Sequence, residues 1–224
     1  MRKTIGIIFA GGRVEDLSVL TENRPKAAVI FGGIYRTIDF PLTNLVNAGI
    51  PHVGILTQYR PASLMEHVGT GMAWDLVGTT REVRFLPPYQ GMGSHEWYRG
   101  PADALYQNLD FIERLAPDDG ITVSGDHLYA MDYRPLLAFH AEHDADLTMG
   151  FVERTADAYR FGIGELNRSD QIVNFTEKPH HPRSHLASMS VYVFRRQVLV
   201  EELRRAEHGE DGSRTFQLHE VLRR

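Results

Sequence analysis

The run Thr4-Ile5-Gly6-Ile7-Ile8-Phe9-Ala10-Gly11-Gly12-Arg13 decides the fold. An apolar stretch this short, preceded by two basic residues and closed by two glycines, reads as a first core strand. Glycines at the carboxyl end of a strand let a backbone approach phosphate oxygens closely. Gly11 and Gly12 are therefore candidates for a phosphate loop, with a simple turn as the alternative. Outward from this strand, β-rich runs recur at His52 to Thr57, Val83 to Leu86, Gly120 to Ser124 and Asp146 to Val152. Helices fill the gaps. Ala104, Leu105, Leu109, Ile112 and Leu115 fall near helical spacing within Ala102 to Leu115, and Pro135 to His143 follows a candidate cap at Asp132. Strands alternating with helices predict an α/β fold, a mainly parallel sheet flanked by helices. Past residue 150 the pattern changes: Phe161 to Leu166, Gln171 to Thr176 and Ser188 to Phe194 are strands without long helices between them. They predict an antiparallel or mixed extension of the sheet. Val198 to Ala206 reads as a late helix, and His180 to His185 and Glu207 to Ser213 read as loops.

With 42% hydrophobic and 24% charged residues over 224 positions, the chain has the composition of a globular protein, expected as one domain over residues 1 to 224. The absence of cysteine removes thiol nucleophiles, thiolate zinc sites and thiol redox chemistry. A net charge of −5 argues against a generic nucleic-acid binder, which needs clustered Lys and Arg. No apolar run approaches the roughly 20 residues of a membrane helix, and the first strand carries no signal-type cleavage site. A cytoplasmic location and no membrane partner are expected. The 11 histidines include His180, His181 and His185 in one loop, but no spacing completes a metal site.

Three further segments carry chemistry. Ser124-Gly125-Asp126 ends an apolar strand and sets Asp126 at the sheet edge where ligands bind; it is either a magnesium ligand or a helix or turn cap for His127 to Met131. Glu96-Trp97-Tyr98-Arg99-Gly100-Pro101-Ala102-Asp103-Ala104 places aromatics, an arginine and a glycine ahead of a helix. This junction suits a base or a phosphate, or is a packed aromatic turn with a solvated arginine. Phe175-Thr176-Glu177-Lys178-Pro179 sets a carboxylate and an ammonium at a strand end, suited to a sugar hydroxyl and a phosphate or forming a surface ion pair.

The order and spacing of these segments, over nearly the whole chain, resemble the ADP-glucose pyrophosphorylase (glucose-1-phosphate adenylyltransferase) family. The likeness runs through Phe31-Gly32-Gly33-Ile34-Tyr35-Arg36-Thr37-Ile38-Asp39-Phe40, Asn44 to Ile50, Leu56-Thr57-Gln58-Tyr59, Trp97-Tyr98-Arg99-Gly100, Ser124 to Tyr129, Glu177-Lys178-Pro179 and Ala187 to Phe194. It implies a Rossmann-like fold of the nucleotide-diphospho-sugar transferase type. The implied reaction joins ATP and glucose 1-phosphate to give ADP-glucose and pyrophosphate, with Mg2+ as cofactor, for glycogen or starch-like synthesis. By position it implies that Gly11, Gly12, Gln58 and Gly100 hold the nucleotide and that Tyr98, Glu177, Lys178 and Ser188 hold the sugar phosphate. Asp126, Lys26 and Arg13 would be catalytic, with Asp126 also the metal ligand.

The chain also departs from the family. The usual loop Gly-Gly-x-Gly-x-Arg-Leu reads Gly11-Gly12-Arg13-Val14-Glu15-Asp16-Leu17, so an anion replaces the arginine that steadies the triphosphate. At about 6 Å and an effective dielectric near 20, each unit charge is worth roughly 3 kcal/mol against one phosphate charge. Thr215 stands where a second metal-binding aspartate is expected, and a hydroxyl is a poorer magnesium ligand. Ala27 for proline after Lys26 and Pro101 for threonine are milder. The family's C-terminal left-handed β-helix has no counterpart in these residues. The departures leave a second reading, a catalytically impaired regulatory or ligand-binding homologue. Either reading is compatible with a homo-oligomer or with a hetro-oligomer containing an active homologue.

Overall fold

The structure, a computed structural model, describes residues 2–12, 15–88, 97–208 and 218, with only the backbone described for Glu15, Asp16, Ser18 and His208. Arg13, the Asp16 side chain, Glu96, residues 209–213 of the expected second loop and Thr215 therefore lie outside the described residues.

Strand β1 (Thr4–Phe9) is followed by a hairpin of β2 (Ile30–Phe31) and β3 (Tyr35–Arg36) and by helix α1 (Asp39–Asn47). Next come β4 (His52–Leu56), α2 (Ala62–Val68), β5 (Glu82–Leu86), α3 (Pro101–Gln107), α4 (Leu109–Leu115), β6 (Asp119–Ser124) and α5 (Arg134–Glu142). The described chain finishes through β7 (Leu147–Glu153), β8 (Gly162–Leu166), β9 (Ile172–Glu177), β10 (Leu186–Arg195) and α6 (Arg196–His208). The eight-stranded sheet has the order β5-β4-β1-β6-β10-β8-β9, with β7 paired to β10. The strands β5, β4, β1 and β6 are mutually parallel, and β10, β8 and β9 extend them antiparallel. This is the α/β architecture expected from the sequence, including the change of pattern after residue 150.

Alternation along β1 explains the layers, because successive side chains leave a strand on opposite faces. Ile5 and Ile7 pack with Leu105, Phe111, Ile112, Leu199 and Leu203, under α3, α4 and α6. Ile8 points the other way, to Leu42, Leu45, Leu64 and Tyr133, under α1, α2 and the start of α5. Both faces of the parallel strands are thus covered, which is why these strands read as continuous apolar runs.

Two details differ from the sequence reading. The expected helix Ala102 to Leu115 is two helices broken at Asn108, whose side-chain amide donates to the Ala104 carbonyl at 2.8 Å and to the Tyr98 hydroxyl at 2.8 Å. The late helix begins at Arg196 and runs on to His208, taking Glu207 out of the expected loop. Asp132 does serve the start of α5, accepting the Arg134 N–H at 3.0 Å. Among the described residues no helix is long and apolar enough to cross a membrane.

Candidate functional site

Register places the site. Phe9 pairs with both Leu56 and Ser124, so β1, β4 and β6 end level at one edge. The chain leaves that edge as Ala10-Gly11, Thr57-Gln58 and Gly125-Asp126, the position at which open α/β sheets bind ligands. There a cavity of about 320 Å³ is lined by Gly11, Gly12, Lys26, Gln58, Tyr98, Gly100, Ser124 and Asp126, among others.

Gly11 passes directly over Gln58. A β-carbon on it would lie 3.0 Å from Gln58 Cβ and 3.1 Å from Gln58 N, so a side chain there would push the two strand ends apart. Lys26 begins a 3₁₀ turn over Lys26–Ala28. Its N–H donates to the Gly12 carbonyl at 3.3 Å, and its carbonyl accepts from the Thr37 hydroxyl at 2.8 Å. With the backbone fixed at both ends, Lys26 Nζ meets Asp126 Oδ2 at 2.5 Å. Ser124 donates its hydroxyl to the other carboxylate oxygen of Asp126. Burial pushes the Asp126 carboxyl up, but the hydrogen bonds from Lys26 and Ser124, with the positive charge of Lys26, outweigh it and hold the group below the ordinary carboxylate value. Residues 127–131 are not helical, which removes the reading of Asp126 as a helix cap.

Gln58 and Tyr98 are joined amide to amide. Gln58 Oε1 accepts the Tyr98 N–H at 2.6 Å, and Gln58 Nε2 lies 3.5 Å from the Tyr98 carbonyl oxygen. The Tyr98 hydroxyl donates to the Leu86 carbonyl at 2.9 Å. The structure thus groups Tyr98 with Gln58 and Gly100 rather than with Glu177, Lys178 and Ser188, and turns its hydroxyl towards the protein interior. Arg99 is neither solvated nor a wall of the cavity: it pairs with Asp103 at 2.6 Å and with Glu207 at 2.8 Å.

Glu177, Lys178 and Ser188 form a second group, on the antiparallel extension. Gly162 of β8 pairs with Glu177 of β9, and Ile163 pairs with Ala187 of β10, so Glu177 and Ser188 flank the end of β8. Gly162 is required there, since a β-carbon would sit 2.9 Å from Glu177 Oε2 and 2.3 Å from the Phe175 ring. Lys178 has φ 44°, left-handed for a residue with a side chain, and is held by its N–H on the Phe161 carbonyl at 3.1 Å. Its Nζ lies 3.7 Å from Glu177 Oε1, with the two side chains 67% and 39% exposed. Ser188 precedes a bulge in β10, where Met189, Ser190 and Val191 face the single residue Gly150 of β7. Its oxygen lies 3.0 Å from the Tyr192 hydroxyl and accepts the Ser190 N–H at 3.1 Å.

None of these three lines the cavity, but the groups adjoin. The His127 ring, next to Asp126, lies near the Met189 backbone beside Ser188, which favours its charged form. Burial is the main cause that lowers the His127 pKa, with the Lys26 charge acting the same way. Ser124, His127 and Tyr192 were not singled out from the sequence, although all three lie within quoted segments. Their neighbours carry the recognisable chemistry, and Ser124 and Tyr192 act on those neighbours, Asp126 and Ser188.

Comparison with known proteins agrees with this geometry. A family model described as nucleotidyl transferase matches residues 5–222. Glucose-1-phosphate adenylyltransferase of Clostridium perfringens (strain 13 / Type A) is 45% identical over 216 residues, covering 96% of this chain and 55% of that protein. The protein of the same name from Bacillus thuringiensis (strain Al Hakam) is 45% identical over 216 residues, covering 96% and 57%. A third, from Clostridium botulinum (strain Alaska E43 / Type E3), is 45% identical over 213 residues, covering 95% and 55%. The chain spans about half the length of these relatives. A glycine pair at the strand end, a lysine–aspartate pair at the sheet edge and a family match over nearly every residue lead to one conclusion: the chain belongs to the nucleotidyl transferase family.

Proposed function

We propose that this chain transfers the adenylyl group of ATP to glucose 1-phosphate. A phosphate oxygen of the sugar phosphate attacks the α-phosphorus, the bond to the β-phosphate breaks, and ADP-glucose and pyrophosphate result. The observation that carries the reading is the Lys26–Asp126 pair, placed in one cavity with Gly11, Gly12, Gln58 and Gly100. In this reading the backbone at Gly11 and Gly12 receives the triphosphate, and Lys26 supplies a point charge to it. Gln58 and Gly100 border the adenine. Lys178 holds the sugar's phosphate, while Glu177 and Ser188 take its hydroxyls. Such catalysis rests on positioning and fixed charge rather than on a covalent intermediate.

Asp126 is the carboxylate that would hold magnesium. Its oxygens and the Ser124 hydroxyl are hard donors, and magnesium takes one or two protein carboxylates, filling its other positions with water and substrate phosphates. The donor set fits the ion, though Asp126 must first release Lys26, whose ammonium then turns to the phosphates. When bound, magnesium neutralises charge on the triphosphate as pyrophosphate leaves.

The test is to incubate the purified protein with ATP, glucose 1-phosphate, magnesium and pyrophosphatase, following phosphate release and ADP-glucose together. Two phosphates for each ADP-glucose are expected, because pyrophosphatase splits each pyrophosphate into two. Asp16 and Thr215 favour a second reading, a homologue that binds ligands without turnover. Glucose 1-phosphate binding with no product would assign the chain to that class. Product from another nucleoside triphosphate or sugar phosphate alone would redirect the specificity.

A further inference from the structure

The adenine-side rim of the cavity is held from two directions. In front, the Gln58 amide clasps the Tyr98 backbone. Behind, Arg99 lies between the lining residues Tyr98 and Gly100 and turns its side chain away from the cavity into the protein. Its backbone N–H donates to Asp103 Oδ2 at 2.9 Å, and its Nη2 donates to Asp103 Oδ1 at 2.6 Å and to Glu207 Oε2 at 2.8 Å.

The two carboxylates do different work. Asp103 sits on α3, the helix that starts at the rim, so its bonds shape one local turn. Glu207 sits on the last turn of α6, 108 positions along the chain, so its bond fixes the rim against a separate helix. The Arg99 and Glu207 side chains are 22% and 16% exposed, and Asp103 is fully buried, so solvent screens these charges less than a surface pair. A rim fixed before the base arrives spares the ligand the cost of ordering it.

We infer that Glu207 is a positioning residue for the nucleotide: through Arg99 it holds the Tyr98–Gly100 rim in the binding-competent place. The inference rests on the reading of this cavity as the ATP site. Loss of the Glu207 charge lets the rim move, and apparent affinity falls by the fraction of time the rim is out of place. The sugar-phosphate group on β9 and β10 has no share in this tether, so its affinity stays the same.

Calorimetric binding of ATP and, separately, of glucose 1-phosphate to the whole chain tests this, using wild type, Glu207→Gln and Glu113→Gln. Glu113 of α4 pairs with Arg204 of α6 at 2.6 Å, away from the rim, and serves as the control. Glu207→Gln is expected to weaken ATP binding about tenfold, the scale of one charge-assisted hydrogen bond. It should leave glucose 1-phosphate binding unchanged and speed deuterium exchange at the Arg99 amide. Glu113→Gln should match wild type, and Glu207→Asp, which keeps the charge on a shorter arm, should fall between. Unchanged ATP affinity in Glu207→Gln overturns the inference while leaving the ATP site intact. Equal weakening of both ligands also overturns it, because that is general loosening. Wild type that binds glucose 1-phosphate but no ATP removes the ATP site, and the inference with it.

Discussion

Lys178 and Asp126 carry charge of opposite sign at the two ends of the proposed reaction, and their loss should leave different signatures. In that reaction Lys178 would hold the sugar phosphate by oxygens that do not attack, so Lys178→Gln is expected to raise KM for glucose 1-phosphate about tenfold or more, with a smaller effect on kcat. In the same reading Asp126 would hold the magnesium that meets the charge building up as pyrophosphate leaves, so Asp126→Asn should lower kcat by roughly a hundredfold or more. Steady-state kinetics with each substrate varied separate the two, and a kcat effect from Lys178→Gln alone would contradict its role. Asp103 tests a structural charge. Burial pushes its carboxyl up, but hydrogen bonds from the Arg99 side chain and backbone, the Arg99 charge and Gln107 outweigh this and hold it below its ordinary 3.8. A folded-state value below the unfolded one stabilises the protein above the unfolded value, and the gain is lost as pH falls through the folded value. Urea unfolding should therefore show Asp103→Asn clearly less stable than wild type at neutral pH, with the gap closing below pH 3.8.

Among the elements, α4 shows how much of the packing rests on single side chains. Phe111 is 1% exposed and lies against Gly54 of β4, where a β-carbon would come within 3.0 Å of its ring. Phe111→Ala leaves a cavity that these neighbours fill only in part, and should cost about 3–5 kcal/mol in chemical denaturation. The strands were legible in the sequence because they are buried on both faces, and Ile7 and Ile8 are apolar whichever face they serve. The Asn108 break was not legible, because apolar spacing continues across it and the side chain's bonds to the Ala104 carbonyl and the Tyr98 hydroxyl leave no mark on that spacing. The site was partly legible for the same reason. Gly11, Gly12 and Asp126 stand at strand ends, where sequence and edge coincide. The pairing of Arg99 with Glu207, the grouping of Tyr98 with Gln58 and the nearness of His127 to the Met189 backbone arise from pairings between distant segments.

At the scale of the molecule, the β6–β10 boundary separates a parallel half that forms the cavity from an antiparallel half that carries Glu177, Lys178 and Ser188. The two proposed substrates would meet across this boundary, each bound by its own part of the sheet. The position of β1 has a different consequence. It lies between β4 and β6, and Thr4 pairs with Asp119, so β1 lacks one neighbour until the distant strand β6 has been made. Pairing over such separations is slow, because loop-closure entropy is spent before the contacts form. During synthesis an apolar strand therefore has one open edge, the state in which nascent chains aggregate or engage chaperones. Slower translation ahead of β6 would lengthen that exposure, and the yield of folded protein would depend on the rate at which residues 119–124 are made.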